Sequence, residues 1–265
     1  MRPGARFGAG TTRPAGHIFY LSPAERPTDD RKTRPHFLVN RCDPIADPAG
    51  MATLAHMTTK PEEHTAYGCP AHEITNTTLR LPDQQGSFVL GSRLLPVAPE
   101  WLVVSAMSAS GETRSVRRVV LHAVGIGEGV AAPGTASVRG RLVRVRDQSV
   151  GICYGCVVTG HAYSASRRYQ VIVPIIDRVV DGSDGLEIQE PVRWDVVPRR
   201  EPWWDALPFR SPMLDTAGLI SLSEAWKRSR DRRRWLKPQI EVLHASIGPV
   251  TLAAVEAAIS ERLSQ

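Results

Sequence analysis

Gly16-His17-Ile18-Phe19-Tyr20 and Gly140-Arg141-Leu142-Val143 each set a short apolar strand directly after a glycine, and each opens an ordered series of elements filling one half of the chain. The first series passes through the basic turn Arg31, Lys32, Thr33, Arg34 and Pro35 into Phe37, Leu38 and Val39, and closes on an amphipathic stretch after Gly111. The second passes through Arg167 and Arg168 into Val171, Ile172 and Val173, and closes after Gly248. Gly16 and Gly140 lie 124 positions apart, Gly111 and Gly248 137 apart. The repeating unit is therefore domain-sized, unlike the roughly 20–50-residue unit of a solenoid. This predicts a flexible tail over 1–15, a first domain over 16–126, a Gly, Ala and Pro linker over 127–137 and a second domain over 138–265.

Within both halves the apolar segments are short, rich in Val, Ile and Leu, and bounded by Gly, Pro and Asp, the pattern of strands joined by turns. Phe37 to Asn40, Ala52 to Met57, Ser87 to Leu90, Arg141 to Val145, Gly151 to Val158 and Gln170 to Ile175 are expected strands. Two segments instead carry helical spacing. Leu252, Val255, Ile259 and Leu263 recur at intervals of three and four after Pro249, and Val116, Val119, Val120 and Val124 do the same before Gly125. A mainly β fold follows: two tandem small barrels, each closed by a C-terminal helix.

With 265 residues and 42% hydrophobic content the chain can fill two such domains, each with its own core. Thirty-three basic against 27 acidic residues give a net charge of +6, a mild surplus that favours anionic partners. No stretch approaches the roughly 18 apolar residues of a membrane-spanning helix. The first fifteen residues lack the apolar run of a signal peptide. A soluble cytoplasmic protein is expected. Four cysteines, Cys42, Cys69, Cys153 and Cys156, are too few and too irregular for a disulfide framework. Three-residue spacing on a strand points Cys153 and Cys156 to opposite faces, so buried apolar thiols are expected rather than a metal site.

Fixed positive charge at Arg34, at the entrance to an apolar strand, suits bidentate phosphate binding. The strand from Met51 ends in Thr58, Thr59 and Lys60, adding two hydroxyls and an ammonium. Tyr67 to Ile74 then resumes an extended run, and Ser92 and Arg93 follow the strand after Gly86. His36, His56 and His72 lie close by in sequence and titrate near neutrality, as acid and base groups must.

In this order the features resemble the MazF/PemK/Kid family of toxin endoribonucleases. Arg34-Pro35, Thr58-Thr59, Pro70 to Ile74 and Ser92 to Val97 match the family's successive motifs, over most of 16–125 and faintly over 138–263. The resemblance implies SH3-like barrels and cleavage of single-stranded RNA without metal or other cofactor, by attack of the ribose 2′-hydroxyl on the adjacent phosphorus. It places the catalytic arginine and threonine at Arg34 and Thr58, with Thr59 as the neighbouring possibility. Lys32, Lys60, His72, Arg93, Arg168, Arg228, Arg230 and Arg232 are the candidate RNA contacts, the last three in a basic run flanked by Trp226 and Trp235.

In the second half Arg168 is the candidate counterpart of Arg34, but Tyr169 replaces the proline, and Val196, Val197 and Pro198 stand where the threonines are expected. That half reads as inactive, completing an intramolecular pseudo-dimer in a monomeric chain. A cognate antitoxin with an acidic or apolar tail is the implied protein partner. The alternative is a non-catalytic module of the same fold that binds nucleic acid or an antitoxin, and a more distant one is a cysteine-based metal or redox protein.

Overall fold

The computed structural model describes residues 5–21, 34–47, 50–65, 69–74, 86–129, 137–147, 151–164, 169–177, 185–188, 192–194, 212–223 and 239–264. The first half contributes β1 (His17–Leu21), β2 (Arg34–Leu38), β3 (Ala52–Thr58), α1 (Glu62–Thr65), β4 (Ala71–Ile74), β5 (Ser87–Val97), β6 (Met107–Ser108) and α2 (Thr113–Ala123). The second contributes β7 (Arg141–Asp147), β8 (Gly151–Val157), α3 (His161–Ser164), β9 (Tyr169–Asp177), β10 (Leu186–Glu187), β11 (Arg193–Trp194), β12 (Pro212–Leu214), β13 (Ile220–Ser223), β14 (Gln239–Ser246) and a last helix, α4 (Pro249–Ser264). The fold is mainly β, with two antiparallel sheets and few helices.

The six-stranded sheet runs β4-β5-β3-β2-β1-β6, the second runs β10-β12-β9-β8-β7-β14-β11, and β13 also pairs with β9. With β12 and β13 together standing for β5, the second order repeats the first and adds β11 at its edge. The repetition extends to single hydrogen bonds. Gly16 N–H donates to Leu38 O as Gly140 N–H does to Val157 O, both at 2.8 Å. Val39 N–H donates to Thr53 O as Val158 N–H does to Val171 O, both at 2.9 Å. Both glycines hold a positive φ, 88° and 76°, which an L side chain rarely tolerates. A Cβ at Gly16 would also lie 2.6 Å from Ser110 Cα. Even the polar residue after the second strand repeats its role: Asn40 Oδ1 accepts from Thr53 N–H, and Thr159 Oγ1 from Val171 N–H, each at 2.7 Å.

These bonds correct the pairing of segments drawn from sequence. The strand of Val171 to Val173 is the third of its sheet, equivalent to β3, whereas the counterpart of Phe37, Leu38 and Val39 is Cys156, Val157 and Val158. Loop length misled the alignment, because β7 and β8 form a tight hairpin where β1 and β2 are separated by a longer connection.

Packing departs from the expectation of two independent cores. One apolar cluster joins Ile18, Phe37, Val89, Val116 and Val120 of the first half to Leu142, Val171, Val173, Val255 and Ile259 of the second. β5 lies against β9 and β13, and α2 touches α4. Arg139, 1% exposed, ties the halves further: its guanidinium donates to Val124 O at the end of α2, to Gly129 O, to Val158 O and to the Glu256 carboxylate on α4. Of the linker, 127–129 is thus held against the second half, and 130–136 lies outside the described residues.

A second cluster, Phe7, Phe19, Leu21, Leu38, Cys42, Ala52, Leu54, Val97 and Leu102, lies on the other face of the first sheet. It corrects the tail: within residues 5–15, Phe7 packs into this cluster, and Arg13, 1% exposed, donates to Leu102 O, Thr11 O and Gly8 O. Among the described residues no helix is long and apolar enough to cross a membrane.

Candidate active site

The face of the first sheet that carries Phe19, Leu21, Leu38 and Leu54 turns polar at its other end. Directly paired residues of an antiparallel sheet share a face. β2 and β3 pair Leu38 with Leu54 and His36 with His56, and Arg34 and Thr58 lie two residues beyond that last pair, on the same face by strand alternation. Arg34 and Thr58, twenty-four residues apart in sequence, therefore share one side of the sheet at its polar end.

Between them and the apolar cluster sit the two histidines, their ring centroids 5.3 Å apart at an interplanar angle of 71°. His36 is buried, and its Nδ1 lies 3.0 Å from Arg34 O. A carbonyl only accepts, so Nδ1 carries the hydrogen, and in the neutral ring Nε2 carries the lone pair. Thr58 Oγ1 accepts from Lys60 N–H at 3.1 Å, a local turn that occupies the oxygen and leaves its O–H to donate outward.

Arg93 reaches this face through an irregularity in β5. Ala55 pairs with Leu94 but Met57 with Val89, so the four residues Leu90 to Arg93 stand opposite the single His56. Leu94 points into the shared core, hence Arg93 points to the His56 side. The kink is fitted against α2: a Cβ on Gly91 would sit 2.6 Å from Val119 O and 2.7 Å from Val119 Cγ1. Gly91→Ala is expected to cost about 1–3 kcal/mol by overpacking, read from the midpoint of chemical denaturation.

Burial and the neighbouring basic groups Arg93, His36, Arg34 and His64, in that order, hold the His56 pKa well below the ordinary histidine value of 6.5. The ring is neutral at pH 7. The consequence for stability has a definite sign. Above pH 6.5 His56 is neutral in both states and contributes no slope. Below it the unfolded chain binds the proton and the native one does not, so stability falls as pH drops from 6.5 to the native pKa. His56→Gln is expected to flatten that limb of the stability curve between pH 6.5 and 4.5 in urea melts.

Other expected residues distribute differently. Thr59 follows β3 at a bend, and Lys60 is exposed and pairs with Glu63 at 3.5 Å. His72 pairs with Val89 in register and so shares the face of Met57 that packs on α2, where its Nε2 meets Glu112 Oε2 at 3.0 Å. The sheet separates it from Arg34 and Thr58. Lys32, Arg168, Arg228, Arg230 and Arg232 lie outside the described residues. Phe88 and Glu73, which sequence reasoning did not single out, share the Thr58 face through successive pairings across β5 and β4. Strand alternation could have flagged them only once the order of strands was known.

The second half lacks the constellation. The register that equates Leu38 with Val157 and Thr53 with Val171 puts Cys153 at the place of Arg34, Gly155 at His36, Pro174 at His56 and Ile176 at Thr58, and Gly155 indeed pairs with Pro174. Arg168 is thus not the residue that register sets in the place of Arg34. The kink recurs, since β9 pairs Ile175 with Leu214 and Ile172 with Ile220, but Gly218 takes the place of Arg93.

The four thiols fall into four separate apolar clusters. Burial pushes Cys42 up to about 11 and Cys156 up to about 12, so both stay protonated thiols. Among the described residues no group of three or more His, Cys, Asp or Glu side chains is placed to hold a metal ion. Comparison of the chain with protein-family models, with curated proteins and with solved structures returns no match.

Proposed function

We propose that this protein is an endoribonuclease that cuts single-stranded RNA without a metal, in the manner implied by its resemblance to the MazF/PemK/Kid toxins. The observation that supports the reading is that strand alternation puts Arg34 and Thr58 on the face holding His36 and His56, with Arg34 and Arg93 among the basic groups acting on His56. The 2′-oxygen bonds to phosphorus, the bond from phosphorus to the 5′-oxygen breaks, and the products are a 2′,3′-cyclic phosphate and a 5′-hydroxyl. Charge gathers on the non-bridging oxygens in the transition state, where the Arg34 guanidinium and the Thr58 hydroxyl donate. His56, the less buried of the two imidazoles and neutral at pH 7, takes the 2′-hydroxyl proton; His36 holds its ring in place. A proton from water or a protonated imidazole completes the 5′-hydroxyl. Phe88 offers a surface on which a base can stack.

The test is incubation of the purified protein with single-stranded RNA in the presence of a chelator, with the new ends analysed chemically. Cyclic-phosphate and 5′-hydroxyl ends are expected. RNA that is bound and never cut would leave the same face as a binding module, and 3′-hydroxyl ends would exclude 2′-hydroxyl attack.

A further inference from the structure

We propose that Ser221, a residue of the second half, is a positioning residue for the first-half site, clasping the β5 kink so that Arg93 is held against His56. The inference rests on the reading of that cluster as the reactive centre.

Four residues opposite one leave the kink without the ladder bonds that would otherwise fix it. Each group supplied in their place comes from outside β5. Gly91 N–H donates to Pro70 O at 2.8 Å, and Ser92 Oγ–H donates to Cys69 Sγ at 2.8 Å. The two backbone groups that flank Arg93 are both taken by one hydroxyl: Ser221 Oγ accepts from Leu94 N–H at 2.6 Å and donates to Ser92 O. Ser221 is held in turn by β13, where it pairs with Val171 of β9. Arg93 thus stands on a bridge whose far abutment belongs to the other half of the chain.

The equivalent kink in the second half is closed from within. Asp215 Oδ1 accepts from Ala217 N–H at 2.9 Å and Asp215 O from Gly218 N–H at 3.2 Å, an Asx turn whose Asp215 N–H donates to Pro174 O of β9 at 2.9 Å. The reciprocal clasp is chemically impossible, because the position equivalent to Ser221 in β5 is Pro96, which has no hydroxyl. The asymmetry matches the chemistry: the clasped kink presents an arginine, the self-closed one a glycine. The second half, bare of site residues, retains a task at the first-half site.

Among the described residues, the basic groups acting on His56 are Arg93 from β5, His36 and Arg34 from β2 and His64 from α1. Release of Arg93 therefore has a readout independent of RNA cleavage. In the full-length protein, histidine-ring NMR is used to follow the titration of His56 in wild type, Arg93→Ala, Ser221→Ala, Ser221→Thr and Ser221→Val. Arg93→Ala is expected to move the His56 midpoint upward, toward 6.5. Ser221→Ala and Ser221→Val should move it in the same direction, with no further shift when combined with Arg93→Ala, while Ser221→Thr, which keeps the hydroxyl, should titrate as wild type. The near-isosteric Thr and Val pair decides the matter if Ser221→Ala does not fold. RNA cleavage should fall in the variants lacking the hydroxyl, toward the roughly 10²-fold loss that a misplacement of about 1 Å can cause.

A His56 midpoint unchanged in Ser221→Val, or moved equally by Ser221→Thr, overturns the proposal, as does one that Arg93→Ala leaves in place. If wild-type protein cuts no RNA yet the midpoints shift as expected, the nuclease reading fails and the clasp stands.

Discussion

Arg34→Ala is expected to cut RNA at least about 10²–10³-fold more slowly than wild type while melting at the same temperature. The second half explains why the two effects separate. It builds the same strand pair, β8 with β9, with Cys153 at the place of Arg34 and Ile176 at that of Thr58, so neither residue is needed for the sheet to form. Arg34 sits at the open end of β2, partly buried, away from the shared core that carries most of the stability. Arg34→Lys should recover little, because an ammonium cannot give a phosphate the two parallel hydrogen bonds of a guanidinium. Thr58→Val should slow cleavage comparably and Thr58→Ser much less, since only the hydroxyl is used. Single-turnover cleavage of a fluorescent oligoribonucleotide measures all four. Cleavage by Arg34→Ala at the wild-type rate would remove the mechanism.

Residues 1–129 expressed alone are expected not to form a cooperatively folded domain. Among the described residues the main apolar cluster draws twelve members from the first half and fourteen from the second, with β5 pressed on β9 and β13. Division of the chain exposes that surface on both sides. Fully burying an aliphatic side chain is worth about 1.5–3 kcal/mol, so losing a handful of these contacts equals the entire stability of a small domain, about 5–15 kcal/mol. The separation also takes Arg139 away from 1–129, and with it the donors to Val124 O at the end of α2 and to Gly129 O. Circular dichroism melts and amide NMR dispersion of 1–129, alone and mixed with 137–265, test this. A sharp melt of 1–129 by itself would show that its face of the cluster is self-sufficient.

The two halves invite a comparison that the chain carries within itself. Features that keep both sheets standing recur: the positive-φ glycines Gly16 and Gly140, the side-chain acceptors Asn40 and Thr159, and the kink after Val89 and after Leu214. Arg34, His36, His56, Thr58 and Arg93 do not recur. Burial and the neighbouring basic groups disfavour a charged His56 in the folded chain.

Elements governed by neighbours along the chain were legible in the residues themselves. The strands that follow Gly16 and Gly140, the helices marked by Val116, Val120 and Val124 and by Leu252, Val255, Ile259 and Leu263, and the duplication they define depend on periodicity and turn chemistry within a few residues. Arg34 and Thr58 stood out too, as members of an ordered series of residue types. Register decided the rest. A shift of one whole strand changed the counterpart of Arg34 from Arg168 to Cys153, fifteen positions earlier, and no local pattern reports that. The approach of Arg93 to His56, the hydroxyl of Ser221 beneath it and the merging of two expected cores into one cluster join residues tens to more than a hundred positions apart. Such contacts exist only once the sheets have closed on each other, because their partners are selected by the geometry of the packed surfaces and not by any preference of the chain segments that meet there.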